Sequence, residues 1–255
     1  MTEFGEQAPG QPRTFVLIPG AGGAAWYWYR VVPLLREAGH EAIAVDLPGP
    51  DPHAGLPEYA RLISAAIADA AIADAAVPDA AGDRRDVVLV AQSMGGFTAP
   101  LAAAAASVSE IVFVNAMIPV PGETPNAWGD NTGAAKAREA AAERGGYGTE
   151  LDLDTYFLHD VPADVAATGE PHQRPEAEVA FESVCDFSAW PPVPVRVLAG
   201  ADDRLFPADF QQRVARERLG VEADVLPGGH LIALSQPEAV ARYLLGYPMA
   251  PRSGR

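Results

Sequence analysis

Six short apolar runs, most of them closed by glycine, proline, asparagine or aspartate, recur along the chain. They are Thr14–Ile18, His40–Val45, Val87–Val90, Glu110–Val114, Val195–Ala199 and Val221–Leu226. Four branched residues in succession, Val87-Val88-Leu89-Val90, suit a strand buried on both faces. Between the runs the apolar spacing becomes helical. Ala25–Ala38 carries Trp28, Val31, Val32 and Leu35 on one side, with Gly39 placed as a stop. Glu58–Val77 carries Tyr59, Leu62, Ile63, Ala66, Ile67 and Ala70, followed by a polar connection from Pro78 to Asp86. An Ala-rich segment after Gly96 reads as a third helix, with Pro100 tolerated near its start. Strand and helix therefore alternate through Val114, which predicts a mostly parallel, doubly wound α/β sheet covered on both faces.

From Asn115 to Trp190 the rhythm changes. The segment holds Pro119, Pro121 and Pro125, a helical stretch at Ala134–Arg144, a glycine break at 145–148 and a short helix near Leu153–Leu158. A long strandless interruption of an alternating pattern predicts an inserted helical cap, 116–190, between core segments 14–115 and 191–247. Residues 1–13 and 248–255 are expected to be flexible ends. After the cap, Pro207–Leu219 is a helix and Gln236–Leu245 the last one, with Ser235 as its N-cap, Pro237 in its first turn and Glu238 behind.

Composition narrows the function. The 255 residues are 49% hydrophobic and 20% charged, a folded profile, and one domain with an insertion accommodates them. A net charge of −16, from 18 basic and 34 acidic residues, argues against nucleic-acid or anionic-membrane binding. Cys185 is the only cysteine, so no intrachain disulfide forms. The first thirteen residues lack a basic start and an apolar run, and no stretch approaches a membrane span; the expected location is cytoplasmic. The five histidines, at 40, 53, 159, 172 and 230, show no metal-ligand spacing, and Gly20-Ala21-Gly22-Gly23 lacks the Lys-Ser/Thr ending of a phosphate loop. Neither a metal nor another cofactor is expected.

Chemistry concentrates at Ser93. The run Val87–Val90 ends in Ala91-Gln92-Ser93-Met94-Gly95-Gly96, a strand-turn-helix whose small flanks permit a strained turn and leave one hydroxyl at its apex. A serine hydroxyl needs an adjacent base held in one tautomer by a third group. In parallel α/β sheets such groups gather at the carboxyl ends of strands. Gly200-Ala201-Asp202-Asp203 follows one later strand and Pro227-Gly228-Gly229-His230 another, giving the order Ser, Asp, His.

These segments resemble the α/β-hydrolase superfamily: the nucleophile elbow G-x-S-x-G with Ala91 in place of the first glycine, and its Gly-x-x-Asp-x-x-x-Pro and Gly-Gly-His stretches. The resemblance places the acid at Asp203 rather than Asp202, which stays the fallback. It implies a cofactor-free serine hydrolase that cleaves a small or medium carboxylic ester through an acyl-enzyme. Ser93 would be the nucleophile, His230 the base and Asp203 its orienting partner. The oxyanion donors would be the backbone amides of Met94 and of Ala21, in a loop where Pro19-Gly20 replaces the usual His-Gly. The position after Val114, where some relatives carry their acid, holds Asn115. Trp26, Trp28, Leu34-Leu35 and Gly39-His40 resemble the branch of plant methylesterases, hydroxynitrile lyases and bacterial esterases, as do Tyr156-Phe157-Leu158-His159-Asp160 and Pro162 within the cap.

Trp26, Phe97, Trp128, Phe157, Phe206 and Leu231 are candidates to line an apolar acyl pocket. Two other functions fit the same scaffold. A carbon–carbon lyase of the hydroxynitrile type would, by resemblance, carry lysine after the catalytic histidine and threonine in the first loop, where Leu231 and Gly20 stand. A ligand receptor would have no chemical need of all three candidate residues. The expected partner is a small-molecule ester, and the sequence does not set the oligomeric state.

Overall fold

Each apolar run forms a strand in the computed structural model, which describes residues 11–75 and 86–247. The strands are β1 (Arg13–Ile18), β2 (Glu41–Ala44), β3 (Asp86–Gln92), β4 (Glu110–Val114), β5 (Val195–Gly200) and β6 (Asp224–Leu226). They make one sheet in the order β2-β1-β3-β4-β5-β6, every pair parallel. Side chains alternate across it. Phe15, Leu17, Val88, Val90, Val112, Val114 and Leu198 pack against helices α1 (Val31–Glu37) and α10 (Pro237–Leu244). Val16, Ile18, Leu89, Ala91, Ile111, Phe113, Val197 and Ala199 pack under α2 (Leu56–Ala75), α3 (Ala99–Ala105) and α8 (Ala208–Leu219). The central strands thus read as continuous apolar runs because both of their faces are dry.

Register fixes where the loops emerge. Ile18 pairs with Ala91, Gln92 with Val114, Val114 with Leu198 and Gly200 with Leu226. The segments beginning at Pro19, Ser93, Asn115, Ala201 and Pro227 therefore leave one rim together.

One expected helix is broken, by proline. Ala25–Ala38 is a 3-10 turn, Ala25–Trp28, followed by a restart at Val31. The restart puts Pro33 in a first turn, where its missing N–H costs nothing, rather than mid-helix. A 3-10 turn at Ser93–Phe97 precedes α3, with Pro100 in the first turn. Ser235 is not an N-cap: it ends the short helix α9 (Ile232–Ser235), Gln236 occupies the capping position without a side-chain bond, and the buried Ser235 hydroxyl has no partner. The last strand starts three residues later than expected, because Gly220 closes α8 in a left-handed turn that the chain must first unwind. Val77, the connection after it and the expected flexible ends, apart from residues 11–13 of the first, lie outside the described residues.

Between β4 and β5 the described residues form helices and no strand: α4 (Pro125–Thr132), α5 (Ala134–Gly145), a π turn at Asp154–Leu158, α6 (Ala163–Gly169), a 3-10 turn at Glu170–His172 and α7 (Glu178–Glu182). The first, α4, went unread in the sequence although its signals are local. The Thr124 hydroxyl caps Ala127 N, Pro125 opens the helix and Gly133 closes it left-handed. A buried ion pair, Arg218 of α8 with Glu123, ties the start of this segment to the core.

Candidate active site

β3 delivers Ser93 at φ 50°, in the left-handed region that costs a non-glycine residue of order 1–3 kcal/mol. Close packing holds it there. A Cβ on Gly96 would stand 2.0 Å from Met117 O, and one on Gly95 would stand 2.5 Å from Pro19 O. Met117 N also donates to Ser93 O at 2.9 Å.

The Ser93 hydroxyl lies 3.0 Å from His230 Nε2, and His230 Nδ1 lies 2.9 Å from Asp203 Oδ2. His230 and Asp203 are 1% and 4% exposed, so water does not compete for these bonds. Asp203 is held from every side. Its Oδ1 accepts from Leu205 N and Phe206 N, both at 2.9 Å, and its Oδ2 accepts from Gln211 Nε2 at 3.1 Å as well as facing the imidazole. A carboxylate so placed favours the tautomer with hydrogen on Nδ1, which leaves Nε2 as acceptor toward Ser93. Asp202 takes a different part: its Oδ2 accepts from Gly228 N at 3.0 Å. The imidazole edge is packed by Phe157 and Phe206, with centroids at 5.4 and 5.2 Å and planes near perpendicular.

Three polar residues around this set were not singled out as supports from the sequence. Asn115, at φ 46° just past β4, donates from Nδ2 to Gly229 O at 2.9 Å and His230 O at 3.0 Å, while Oδ1 accepts from Gly200 N at 2.6 Å. It stitches the histidine segment to the end of β5. An asparagine closing a buried strand was the available signal, since Asn tolerates the left-handed region better than most residues. Gln211 sits on α8 at 3% exposure, and an amide on an otherwise apolar helix face hinted at it. Gln92 places Nε2 at 3.3 Å from His230 Nε2.

The loop Pro19–Gly23 passes beside the hydroxyl: a Cβ on Gly20 would meet Ser93 Cβ at 2.8 Å. Among the described residues the Ala21 amide has no hydrogen-bond partner. Met94 N lies in the first turn of its 3-10 helix, where the helix itself offers no acceptor. A cleft of about 520 Å³ opens beside Ser93 and His230. Of the candidates named from the sequence, Trp26, Phe157 and Leu231 line it, together with Leu158, Ala166 and Leu234. Phe97, Trp128 and Phe206 do not. Phe97 is fully buried under the sheet, Trp128 is spent in edge contacts with Phe206 and Phe210, and Phe206 turns its ring onto the imidazole instead.

The segment between β4 and β5 reaches both sides of this site. Asp160 Oδ2 accepts from Gly229 N at 2.6 Å, and Glu176 Oε2 accepts from Gly22 N at 2.6 Å. Burial raises the Glu176 carboxyl above its ordinary range. Cys185 is fully buried, its thiol pushed up to about 12 by desolvation and directed at Phe97 O, so it offers no nucleophile. Among the described residues no group of His, Cys, Asp and Glu is arranged to hold a metal ion, and no helix is long and apolar enough to cross a membrane.

A model of the alpha/beta hydrolase family matches residues 15–243. A probable esterase of Oryza sativa subsp. indica is 37% identical over 118 residues, 43% of this chain and 41% of that protein. An alpha-hydroxynitrile lyase of Arabidopsis thaliana is 32% identical over 121 residues, 44% of this chain and 43% of the lyase. The chain thus spans less than half the length of these curated relatives. The crystal structure of a methylesterase from Arabidopsis aligns over 92% of this chain and 98% of its own at a TM-score of 0.67, and at 23% identity that likeness is one of fold.

Proposed function

The chain belongs to the alpha/beta hydrolase family, and from that premise we propose that it hydrolyses a small or medium carboxylic ester through an acyl-enzyme. The observation that carries this reading is the unbroken relay from Ser93 Oγ through His230 to Asp203, at 3.0 and 2.9 Å. Ser93 Oγ attacks the ester carbon as its proton passes to His230 Nε2. The oxyanion is stabilised by N–H groups of Ala21 and Met94, a contribution worth several kcal/mol where water is excluded. Collapse expels the alcohol, which takes the proton back from His230. Water, deprotonated by the same nitrogen, then attacks the acyl group on Ser93, and as that intermediate collapses His230 returns the proton to Ser93 Oγ and the carboxylic acid is released. Asp203 orients the imidazole and stabilises its cationic form without itself taking the proton.

The cleft volume and its mostly apolar wall suit a substrate of modest size with an apolar acyl or alcohol part. In this reading residues 116–190 are a cap over a core made of 14–115 and 191–247. The test is turnover of p-nitrophenyl esters of graded acyl length together with phosphonylation at Ser93. Wild-type protein reacts with both and Ser93→Ala with neither; a wild type inert to both overturns the proposal.

Similarity to the Arabidopsis lyase keeps carbon–carbon lysis as a second reading. Against it, the residue after His230 is Leu231, an apolar part of the cleft wall that offers no charge to a departing cyanide. Cyanide release from an aryl cyanohydrin would favour the lyase.

A further inference from the structure

We propose that Glu176, assisted by Arg174, is a positioning residue that anchors the loop carrying the Ala21 oxyanion donor. The inference rests on the esterase reading above, because only there does the Ala21 amide have a function.

An N–H reserved for the substrate cannot be used to anchor its own loop, so its aim must be inherited from the peptides on either side. Residues 20–23 form a tight turn, Gly23 N donating to Gly20 O at 3.0 Å, with Gly22 at φ +83°. That angle at the third residue is the signature of a type II turn. A glycine there does not hold the form by itself, since it adopts the negative φ of a type I turn as readily. The two forms differ by a flip of the Ala21–Gly22 peptide, which leaves the donor's own peptide, Gly20–Ala21, unflipped but strips the anchor from the residue beside it.

The segment 174–176 holds that peptide from outside the core. Glu176 Oε2 accepts from Gly22 N at 2.6 Å, and Arg174 Nε donates to Gly22 O at 2.9 Å, so both polar groups of Gly22 are engaged. Neither side chain is free to wander. Tyr59 OH donates to the other carboxylate oxygen of Glu176. Arg174 is clamped by Asp46 through two bonds at 2.9 and 3.0 Å, and by Leu47 O at 3.2 Å. After a flip the Ala21 carbonyl would face the Glu176 carboxylate, oxygen against oxygen, and the clamp therefore selects the type II form.

The measurement is steady-state hydrolysis of a p-nitrophenyl ester by wild type, Glu176→Ala and Glu176→Gln, with binding of an arylboronic acid and of the product carboxylate. The boronic acid forms a tetrahedral adduct that uses the oxyanion donors; the product carboxylate is the ground-state reference. Loss of one whole donor lowers kcat by about 100–1000-fold in comparable sites. A misaimed donor should therefore lower kcat of Glu176→Ala by about 10–100-fold with KM within about threefold, and weaken the boronate far more than the product. Glu176→Gln, whose amide oxygen still accepts from Gly22 N, should recover most of the rate. Unchanged kcat, equal losses in both variants, or parallel weakening of boronate and product overturns the proposal. If Glu176→Ala does not fold, Glu176→Asp, which withdraws the carboxylate by one methylene, must show the same kcat loss. A wild type that neither turns over esters nor is phosphonylated at Ser93 overturns the esterase reading instead, whereas an active wild type matched by Glu176→Ala overturns the clamp alone.

Discussion

Ser93 keeps a backbone conformation that its side chain does not favour, and the expense is visible only because the surrounding groups are so tightly placed. Replacing it by glycine removes the penalty along with the hydroxyl. Ser93→Gly should therefore raise the thermal midpoint, by about 1 kcal/mol of stability, while ester turnover falls to background; Ser93→Ala should lose turnover without that gain. Asn115 is the other non-glycine residue at positive φ among those described, and its role is to hold, not to react. Asn115→Ala leaves Gly200 N and Gly229 O unpaired in a buried place, and His230 O with only the long bond from Gln92 Nε2. A loss of about 2–3 kcal/mol in urea unfolding is expected, with kcat falling about tenfold as His230 loosens. At this scale the sequence was legible where chemistry dictates identity. Ser93, His230 and an acid could be read from order and position, but Asp202 and Asp203 differ only in which way a turn points them. Asn115 and Gln211 escaped because a supporting amide has no motif.

Helices were legible as apolar stripes but not in their breaks. Pro33 lies inside a stripe that continues past it, and only the rule that proline belongs to a first turn explains why that stripe is two pieces. The helices between β4 and β5 were harder still, since their packing surface is the core rim rather than a sheet face, and no simple periodicity marks it. Besides buried apolar residues such as Trp128, Val165 and Ala180, a polar contact fastens them. Glu123, in the connection before α4, is buried against Arg218 of α8 and also accepts from Asn131. Burial alone would raise the Glu123 carboxyl, but the hydrogen bonds from Arg218 and Asn131 outweigh it and hold the group below the ordinary carboxylate range. Its stabilising effect is thus complete above the unfolded carboxylate pKa and disappears as pH falls through the lower folded one. Glu123→Gln should cost about 3 kcal/mol at pH 7, where it leaves Arg218 buried without a counter-charge. In thermal melts from pH 7 down to 3, the gap to wild type should close as the native carboxyl takes up its proton; a constant gap would contradict the pairing.

Across the whole molecule, the parallel sheet and its one-rim register bring together residues far apart in the chain, Ser93 and His230 being separated by 137 positions. This much was legible, because alternating strands and helices leave few topologies open. Two carboxylate contacts from the strandless segment to the site loops were not, because they end on backbone amides, which leave no trace in a side-chain pattern. Asp160 holds Gly229 and Glu176 holds Gly22, two loops without a shared carboxylate. Removing each acid to alanine should therefore lower kcat independently, the double variant showing the product of the two factors within about twofold; a smaller combined loss would mean that the loops move as one.

That the acceptors sit on the insertion while the donors are main-chain groups bears on how such enzymes are recombined. An amide looks the same whatever residue owns it, so a recipient scaffold has nothing to adapt at those amides when a foreign segment is grafted between β4 and β5. At these two points compatibility is decided by the graft, whereas Arg218, Tyr59 and Asp46 of the core ask for their own partners on it. A chimaera that keeps Glu123, Asp160, Arg174 and Glu176 should therefore keep the loops in place while its substrate-facing surface is exchanged.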